Sequence, residues 1–387
     1  MKIIITFILL SGFFTFQAIS QGTVINHTCT DLTKIPQSAI DSAKAKLHIA
    51  YGHTSHGSQL INGMNELIGF ANNHGLGLDL PSNIFAFNNG GTDGALDLRD
   101  TPFSGASDLG SPNRTAWEQA TRNYLGTPNT QGKGSLLPSI NVIIWSWCGQ
   151  VDGSEADIDN YLTLMNGLEQ DYFGVKFVYM TGHLNGTGET GNVNIRNQQI
   201  RNYCTSNNKI LYDFADIESY DPDGVVHYMP LLANDNCDYD SDGNGSRDAN
   251  WATAWQNSHT QGVDWFNCSP AHSQPLNGNL KAYAAWWLWA TLAGWEPPLS
   301  GIADVEKNAQ AVTVFPNPSN GKFTVTTNNG SIDAIYIYNV TGTKVFSTTD
   351  FKLKTSNEID ISDYKKGIYF VKIDSRDKIS TEKIVIQ

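Results

Sequence analysis

Positive charge is scarce in this sequence. Its 387 residues include 25 lysines and arginines against 38 aspartates and glutamates, a formal net charge of −13. The basic residues form no cluster, whereas a surface that binds nucleic acid presents a basic patch to the phosphates. We therefore expect no nucleic-acid partner, and the acidic balance is typical of a soluble extracellular protein.

Long apolar runs are also lacking after the N-terminus. Lys2 precedes an apolar stretch over residues 3–16, and small residues follow at Ala18 and Ser20, where a signal peptidase reads the chain. The stretch is short for a membrane span. The sequence therefore predicts a signal peptide over residues 1–20 and no transmembrane segment in the mature chain.

Cysteine is infrequent, with five residues at positions 29, 148, 204, 237 and 268. Export makes disulfides possible, but an odd number leaves at least one thiol unpaired within the chain. A Cys237–Cys268 bridge is the first choice, because both residues flank a loop-rich insertion. Cys148, at the end of an apolar run, is the expected free thiol, and the connectivity stays open.

The C-terminal part of the chain lacks histidine and cysteine. The composition changes at a linker over residues 296–304, and short alternating strands follow over residues 305–387, with Asn, Gly and Asp between them. This pattern predicts a small all-β sandwich without a catalytic cluster.

Four motifs in that part, taken in order, resemble the sorting domain of the type IX secretion system of Bacteroidetes. They are residues 315–318 (FPNP), 337–342 (IYNVTG), 366–371 (KGIYFV) and 383–386 (KIVI). The resemblance implies the secretion machinery as a partner, passage across the outer membrane, and release or attachment at the cell surface. An accessory β-domain that binds carbohydrate is the alternative.

The sequence predicts one domain over residues 21–295, in which strand and helix patterns alternate from residue 44 onward. Apolar runs that predict strands lie at 46–51, 83–87, 141–145, 175–180 and 209–214, with helical patterns between them. Such an alternation predicts a mostly parallel sheet covered on both faces. Residues 221–267 break the pattern and predict a loop-rich insertion.

Polar, glycine-rich turns follow the predicted strands. Residues 52–57 (GHTSHG) follow the first strand, Gly90 and Gly91 the second, residues 146–150 (SWCGQ) the third and residues 181–186 (TGHLNG) the fourth. Ligands of open parallel sheets bind beyond the carboxyl ends of the strands. We therefore expect these turns to form one cleft.

Ser55 is the candidate nucleophile, because the first turn holds its hydroxyl between a strand and a helix N-terminus. Thr54 and Ser58 are local competitors, and a serine that only caps the helix is the alternative. His272, in a loop before the last helix, is the candidate base. The candidate oxyanion donors are the backbone N–H of Ser55 and the residues Gly90, Gly91, Gln150 and Asn185.

These positions resemble the SGNH (GDSL-like) hydrolases over residues 44–295. Ser55, Gly90 or Gly91, and His272 occupy places that match the serine, glycine and histidine of that family, although its Gly-Asp-Ser block reads Gly-His-Thr-Ser here. The resemblance implies a flavodoxin-like three-layer α/β/α sandwich. It also implies an esterase or acetylesterase for small acyl groups, often on carbohydrates, with no catalytic cofactor.

The chain departs from that family at two further blocks. The third block reads Ser-Trp-Cys-Gly over residues 146–149, so the asparagine donor is missing and Asn185 or Gln150 could replace it. The aspartate expected three residues before His272 is also missing. Asp264, Asp216 or Glu218 could orient His272 instead, or the site could be a dyad.

Several other residues are expected to shape the substrate pocket by hydrogen bonding or stacking. They are His53, His56, His183, Cys148 and Trp147, the last as a platform for a sugar ring. Two alternative functions stay open. His53, His56 and His183 could ligate a metal such as zinc in a metal-dependent deacetylase, or the chain could bind glycan without catalysis.

Residues 238–245 (DYDSDGNG) match the first half of a calcium loop. Asp238, Asp240 and Asp242 stand at alternating positions before a glycine, and Asp248 could substitute for the missing glutamate. We expect either a structural calcium that holds the insertion or a solvated acidic turn.

Overall fold

The computed structural model describes residues 22–297, 312–327, 332, 334–339, 344–348, 356–375 and 378–387. The predicted signal peptide and all but the first two residues of the predicted linker lie outside these residues. The chain separates into two compact units, Met1–Pro297 and Pro298–Gln387. Within the described residues, no helix is long and apolar enough to cross a membrane.

The first unit alternates strands and helices. Its strands are β1 (Val24–Ile25), β2 (His48–Gly52), β3 (Phe87–Asn88), β4 (Leu96–Asp100), β5 (Val142–Trp145), β6 (Lys176–Met180), β7 (Ile210–Tyr212), β8 (Asp238–Tyr239) and β9 (Ala249–Asn250). Its α-helices are α1 (Gln37–Lys46), α2 (Ser55–Asn72), α3 (Ala116–Leu125), α4 (Glu155–Asp171), α5 (Asn192–Ser206), α6 (Phe214–Ile217), α7 (Trp251–Ser258) and α8 (Pro275–Leu292).

Strands β1 to β7 form one sheet in which every neighbouring pair is parallel, in the order β1-β7-β6-β5-β2-β4-β3. Without the edge strands β1 and β3, this is the strand order of flavodoxin-like sheets. The predicted α/β fold with a parallel sheet is confirmed. The winding direction reverses between β2 and β5, so the crevice outside their carboxyl ends is the expected ligand site.

Helices cover both faces of the sheet because side chains alternate along each strand. In β2, Ile49 and Tyr51 pack in a core with α1, α2 and α8, whereas Ala50 packs in the opposite core with α3, α4 and α5. Helix α8 is buried on nearly all sides, and Trp286 and Trp289 are 0% exposed. The expected three-layer α/β/α arrangement is therefore held by two separate apolar cores.

Strand β4 is the main element that the sequence pattern misses. The strand predicted at residues 83–87 is instead β3, a two-residue strand at the sheet edge, and β4 lies between β3 and β2. The β4 sequence, Leu-Asp-Leu-Arg-Asp, has no continuous apolar run. Its buried Asp97 is tolerated because it pairs with Arg99 at 3.2 Å and with His48 of β2 at 2.8 Å, and only the tertiary structure supplies that second partner.

The insertion at 221–267 contains the β8–β9 pair, α7 and one 3-10 turn, and loops make up the rest. The predicted Cys237–Cys268 bridge is wrong, because all five cysteines are free thiols. Cys237 Sγ lies 3.7 Å from Ser273 Oγ, and Cys268 donates to the Pro275 carbonyl at 3.4 Å.

The second unit is all β. Its strands are β10 (Val312–Phe315), β11 (Lys322–Thr327), β12 (Ala334–Asn339), β13 (Lys344–Thr348), β14 (Ser356–Asp360), β15 (Gly367–Ser375) and β16 (Lys378–Ile386). They form two antiparallel sheets, β10-β11-β14 and β13-β12-β15-β16, which share an apolar core that includes Val325, Ile337 and Val371. The expected C-terminal all-β region is confirmed.

Candidate functional site

Three histidines converge outside the carboxyl ends of β2 and β6. His56 lies in the first turn of α2 and stacks on His183, which follows β6, with 3.8 Å between ring centroids and 3° between the planes. The ring of the exposed His272, from the loop before α8, lies 4.8 Å from that of His56. Parallel strands end at one edge of the sheet, and for this reason residues far apart in the sequence meet here.

His56 bridges a thiol and a carboxylate. Its Nδ1 lies 3.2 Å from Sγ of Cys148, which follows β5, and its Nε2 lies 3.0 Å from Oδ2 of Asp235 in the insertion. The other oxygen of Asp235 accepts the Asn236 N–H at 3.0 Å. An ionised carboxylate only accepts hydrogen bonds, so Asp235 selects the tautomer with hydrogen on Nε2 and a lone pair on Nδ1. Sequence reasoning missed Asp235, because the insertion has no periodicity that would place it.

Burial and neighbouring charges tune this pair. Burial lowers the pKa of His56 below its ordinary value and His183 lowers it further, while the hydrogen bond to Asp235 opposes both. Burial alone would raise the pKa of Asp235, but above all the hydrogen bond from His56 brings it below its usual range. At neutral pH the pair is a neutral imidazole and a carboxylate, the states that a general base and its orienting group require.

Ser55 reaches this edge of the sheet without a base beside its hydroxyl. It is the first residue of α2, and its carbonyl accepts from Ser58 Oγ at 2.7 Å. Among the described residues, the Ser55 hydroxyl makes no hydrogen bond. His272 has a left-handed backbone, with φ of 62°, and stacks on His56 instead of bonding to Ser55. The structure thus brings the predicted nucleophile and base to one edge but leaves them unpaired.

None of the carboxylates predicted to orient His272 contacts it. Asp264, one of the three carboxylates considered, accepts the Thr260 N–H at 2.8 Å and closes its own turn. Asp216 and Glu218 are each paired with a different basic side chain. Both carboxylates therefore already have partners away from His272.

His53 turns away from the histidine cluster towards β4. Its Nε2 lies 2.6 Å from Oδ1 of Asp100, and the hydroxyl of Thr54 donates to Asp108. A cleft of about 300 Å³ opens here, and its lining residues are Gly52, His53, Thr54, Thr101, Phe103, Ala106 and Ser107. Thr54, which lines this cleft, directly precedes Ser55 in the sequence.

The predicted set of metal ligands loses His53 and gains Asp235. Among the described residues, the group whose possible ligand atoms lie within 4.8 Å of one another consists of His56, His183 and Asp235, without His53. The His183 Nδ1 donates to the Leu184 carbonyl at 2.7 Å, so only its Nε2 could serve as a metal ligand. The imidazole planes of His56 and His183 are parallel, so their in-plane lone pairs do not converge on one point.

The remaining predicted substrate contacts fall into different places. Gln150 stays at the site, where its Oε1 accepts the Cys148 N–H at 3.1 Å. Trp147 is 2% exposed and its Nε1 donates to the Met180 carbonyl, so it packs in the core and offers no face to a sugar.

Gly90 and Gly91 follow β3 and are therefore two strands away from β2. The Gly90 N–H is already taken by Asp97 at 2.8 Å, so the predicted oxyanion donor does not face the cluster. Asn185 follows β6, where its side-chain oxygen accepts the Thr187 hydroxyl at 2.6 Å and closes a turn.

A buried ion pair links two of the histidine loops. Lys281 of α8, which is 0% exposed, lies 2.6 Å from Glu218 Oε2 and 2.5 Å from Gln59 Oε1. Glu218 also accepts the backbone N–H of the residue after His183, and Gln59 donates at 2.6 Å to the carbonyl of the residue before His272. Burial lowers the pKa of Lys281, and the charge of Glu218 opposes that shift. Lys281 is the single charged residue of α8, and this was the available sequence signal for the network.

The aspartates of the predicted calcium loop accept hydrogen bonds from the loop itself. Asp240 accepts three backbone N–H groups, Asp242 one and Asp248 one, all from residues 241–245. Asp238 accepts the side-chain amides of nearby asparagines. Calcium binding by this loop stays a prediction.

Residues 313–387 match the family model of the secretion system C-terminal sorting domain. This match confirms the resemblance of that region to type IX sorting domains, and the chain is exported by that route to the extracellular space or the cell surface. No family match supports the resemblance of residues 44–295 to SGNH hydrolases. No curated protein sequence is significantly similar to the chain.

Solved structures share little with the chain. An endo-β-1,4-mannanase from Thermotoga petrophila is 8% identical with a TM-score of 0.16, over 71% of this chain and 50% of that chain. A modular endo-β-1,4-mannanase from Cellulomonas fimi is 10% identical with a TM-score of 0.21, over 89% of this chain and 72% of that chain. The chain spans half the length of the first mannanase, and scores this low carry no inference about fold or activity.

Proposed function

We propose that the α/β unit is a hydrolase that cleaves acyl esters through a nucleophile activated by histidine. The observation that carries this proposal is the orientation of His56, whose Nε2 is bound by Asp235 and whose free Nδ1 faces the thiol of Cys148. A histidine held in this way accepts a proton from a thiol or hydroxyl and returns it to the leaving group. Export through the sorting domain gives the hydrolase access to extracellular substrates.

The position of His56 and Cys148 supports a substrate site. They follow β2 and β5, the strands between which the winding direction reverses, and ligands of such sheets bind in that crevice. A cleft of about 300 Å³ at the turn after β2 is lined by Thr54, Thr101, Ser107 and the aromatic Phe103, and shares no residue with the histidine cluster. That lining suits a sugar with a small acyl group, so an acylated carbohydrate is the proposed substrate class.

Ser55 is one candidate for the attacking side chain. The SGNH resemblance selects it, and the unpaired N–H groups in the first turn of α2 would favour the negative charge that develops on the substrate. In this form of the proposal His272 is the base. Its ring would have to leave its stack on His56 and move to within hydrogen-bonding distance of the Ser55 hydroxyl.

A metal-dependent deacetylase is the second candidate function. The closeness of the possible ligand atoms of His56, His183 and Asp235 favours it. The parallel stacking of the two imidazoles weighs against it, because a metal ion lies in the plane of each ring that binds it. Turnover that a chelator abolishes would support this candidate.

Hydrolysis of p-nitrophenyl acetate and of acetylated xylo-oligosaccharides by the full chain tests the proposal. We expect turnover by the wild type that a chelator leaves unchanged, and a fall in kcat/KM of roughly 10²-fold or more in His56→Gln. The matched control is His259→Gln, which removes a histidine that stacks on Trp255 outside the cluster. If the wild type lacks turnover, the proposal fails and a non-catalytic glycan-binding protein on this fold becomes the better description.

A further inference from the structure

We infer that Cys148, rather than Ser55, is the nucleophile, that His56 is its base, and that Asp235 is the residue that orients the base. The inference rests on the proposed function, because it names the attacking atom of that same site. It follows from a continuous hydrogen-bonded chain, with 3.2 Å between Sγ and Nδ1 and 3.0 Å between Nε2 and Oδ2. A nucleophile bound to a base, with the base bound in turn to an orienting group, is the arrangement that supports covalent acyl transfer.

Cys148 differs from the other four cysteines in access and in partners. It is partly exposed, whereas the other four are buried. Burial raises the pKa of the thiols of Cys29, Cys204, Cys237 and Cys268. A substrate or reagent in solution therefore meets one thiol in the folded α/β unit, and that thiol is the one beside a base.

The base is held in place from three sides. Asp235 binds its Nε2, His183 covers one ring face at 3.8 Å, and the ring of His272 lies at 4.8 Å. The backbone of Asn236 in turn holds Asp235. Such support keeps the Nδ1 lone pair directed at Cys148 without a conformational change, whereas a Ser55–His272 pair would require one.

The reaction balances with water as the only co-reactant. Sγ of Cys148 attacks the acyl carbon and forms the S–C bond, while the thiol proton passes to Nδ1 of His56. The ester C–O bond then breaks, and the leaving alcohol takes the proton from His56. Water next gives a proton to His56 and attacks the thioester, the C–S bond breaks, and Cys148 recovers its proton as the carboxylic acid leaves.

Gln150 is placed to assist these steps. Its Oε1 accepts the Cys148 N–H, which fixes the turn that presents the thiol. Its amide NH₂ group makes no hydrogen bond within the described part of the chain. It is therefore free to donate to the carbonyl oxygen on which negative charge develops.

Alkylation of the full chain at pH 7 tests the thiol pair apart from turnover. One equivalent of iodoacetamide should modify Cys148, located by mass spectrometry, roughly tenfold or more faster than it modifies free cysteine. His56→Gln should remove this advantage. Asp235→Ala should reduce it, and Asp235→Asn should restore most of it, because the amide oxygen accepts the same hydrogen bond from Nε2. Equal rates in wild type and His56→Gln would overturn the inference.

Ester turnover then separates the two nucleophiles. Cys148→Ala should lower kcat/KM roughly 10³-fold or more, whereas Ser55→Ala should change it about threefold at most. Circular dichroism confirms that each variant is folded. Full turnover by Cys148→Ala overturns the inference and leaves ester hydrolysis standing. A wild type without turnover overturns the proposed function, and the role of Cys148 falls with it.

Discussion

His56 is the residue on which the proposed chemistry depends. Its ring is buried, contacts two other histidines and makes hydrogen bonds from both nitrogens. Burial favours the neutral imidazole, and the carboxylate of Asp235 favours the protonated one. Burial dominates, so the ring is ready to accept a proton under mildly acidic conditions as well as at neutral pH.

The protonation of His56 should occur below the ordinary pH for a histidine. Its pKa is lowered from 6.5, so the neutral base persists as the pH falls past that value. The contribution of His56 to folding stability depends on pH in the same direction. It is fully present above pH 6.5 and is lost as the pH falls through the lowered pKa, because the unfolded chain then binds one more proton than the folded chain.

An NMR titration of the His56 ring should therefore give a midpoint below 6.5. Asp235→Asn should move the midpoint lower still, because it removes the negative charge that favours the imidazolium. A midpoint at or above 6.5 in the wild type would contradict the dominance of burial.

At the scale of elements, helices α2 and α8 form the frame of the site. Gly63 of α2 lies against α8, and a Cβ at this position would come within 2.1 Å of the Gly278 carbonyl. The close approach brings the start of α2, with His56, near the loop that carries His272. The Lys281 network then connects α8 to Gln59 of α2 and to Glu218.

Gly63→Ala should destabilise the fold by about 1–3 kcal/mol, because the added methyl group meets backbone atoms that cannot rotate away. Gly69→Ala is the matched control on the same helix. Nothing lies within 4 Å of a Cβ at Gly69, and alanine is the better helix former by about 1 kcal/mol. Urea unfolding compares the two, and equal stabilities would contradict the close packing of α2 on α8.

The Lys281–Glu218 pair should respond to substitution as a unit. Lys281→Met leaves a buried carboxylate without its cation and should reduce the free energy of unfolding by about 3–5 kcal/mol. Glu218→Gln leaves the buried lysine without its anion and should reduce it by a similar amount. The double variant should lose less than the sum, because neither charge remains. Additive losses in urea unfolding would show that the two charges do not interact.

At the scale of the whole molecule, the candidate site and the sorting domain lie in separate units. The histidine cluster and the partly exposed thiol belong to Met1–Pro297, whereas the sorting-domain match covers residues 313–387. Each unit has its own apolar core in the described residues. A unit with its own core can fold without the other.

Deletion of residues 298–387 should abolish export in a host with a type IX secretion system and leave the α/β unit folded. The shortened chain should accumulate in the periplasm, and its Cys148 should be alkylated at the wild-type rate. Cell fractionation and alkylation kinetics measure the two effects. Secretion of the shortened chain into the medium would contradict the role of the sorting domain.

Several features could be predicted from the sequence because they depend on local patterns. The strand, turn and helix around residues 48–72 follow from an apolar run, a polar turn and helical periodicity. The alternation of such units predicts a parallel sheet, and the motifs after residue 312 predict the sorting domain. The convergence of His56, His183 and Cys148 also follows, since parallel strands end at one edge.

The partners within that convergence were decided by the tertiary structure alone. His56 meets Cys148 across 92 residues and Asp235 across 179 residues of sequence. Strand β4 separates Gly90 and Gly91 from the site and binds His53 through Asp100. Its polar sequence has no apolar run that would predict a strand. The sequence determined which turns share one edge of the sheet. The order of the strands in the sheet and the path of the aperiodic insertion determined which side chains touch. Both of these depend on contacts between segments that are distant in the sequence.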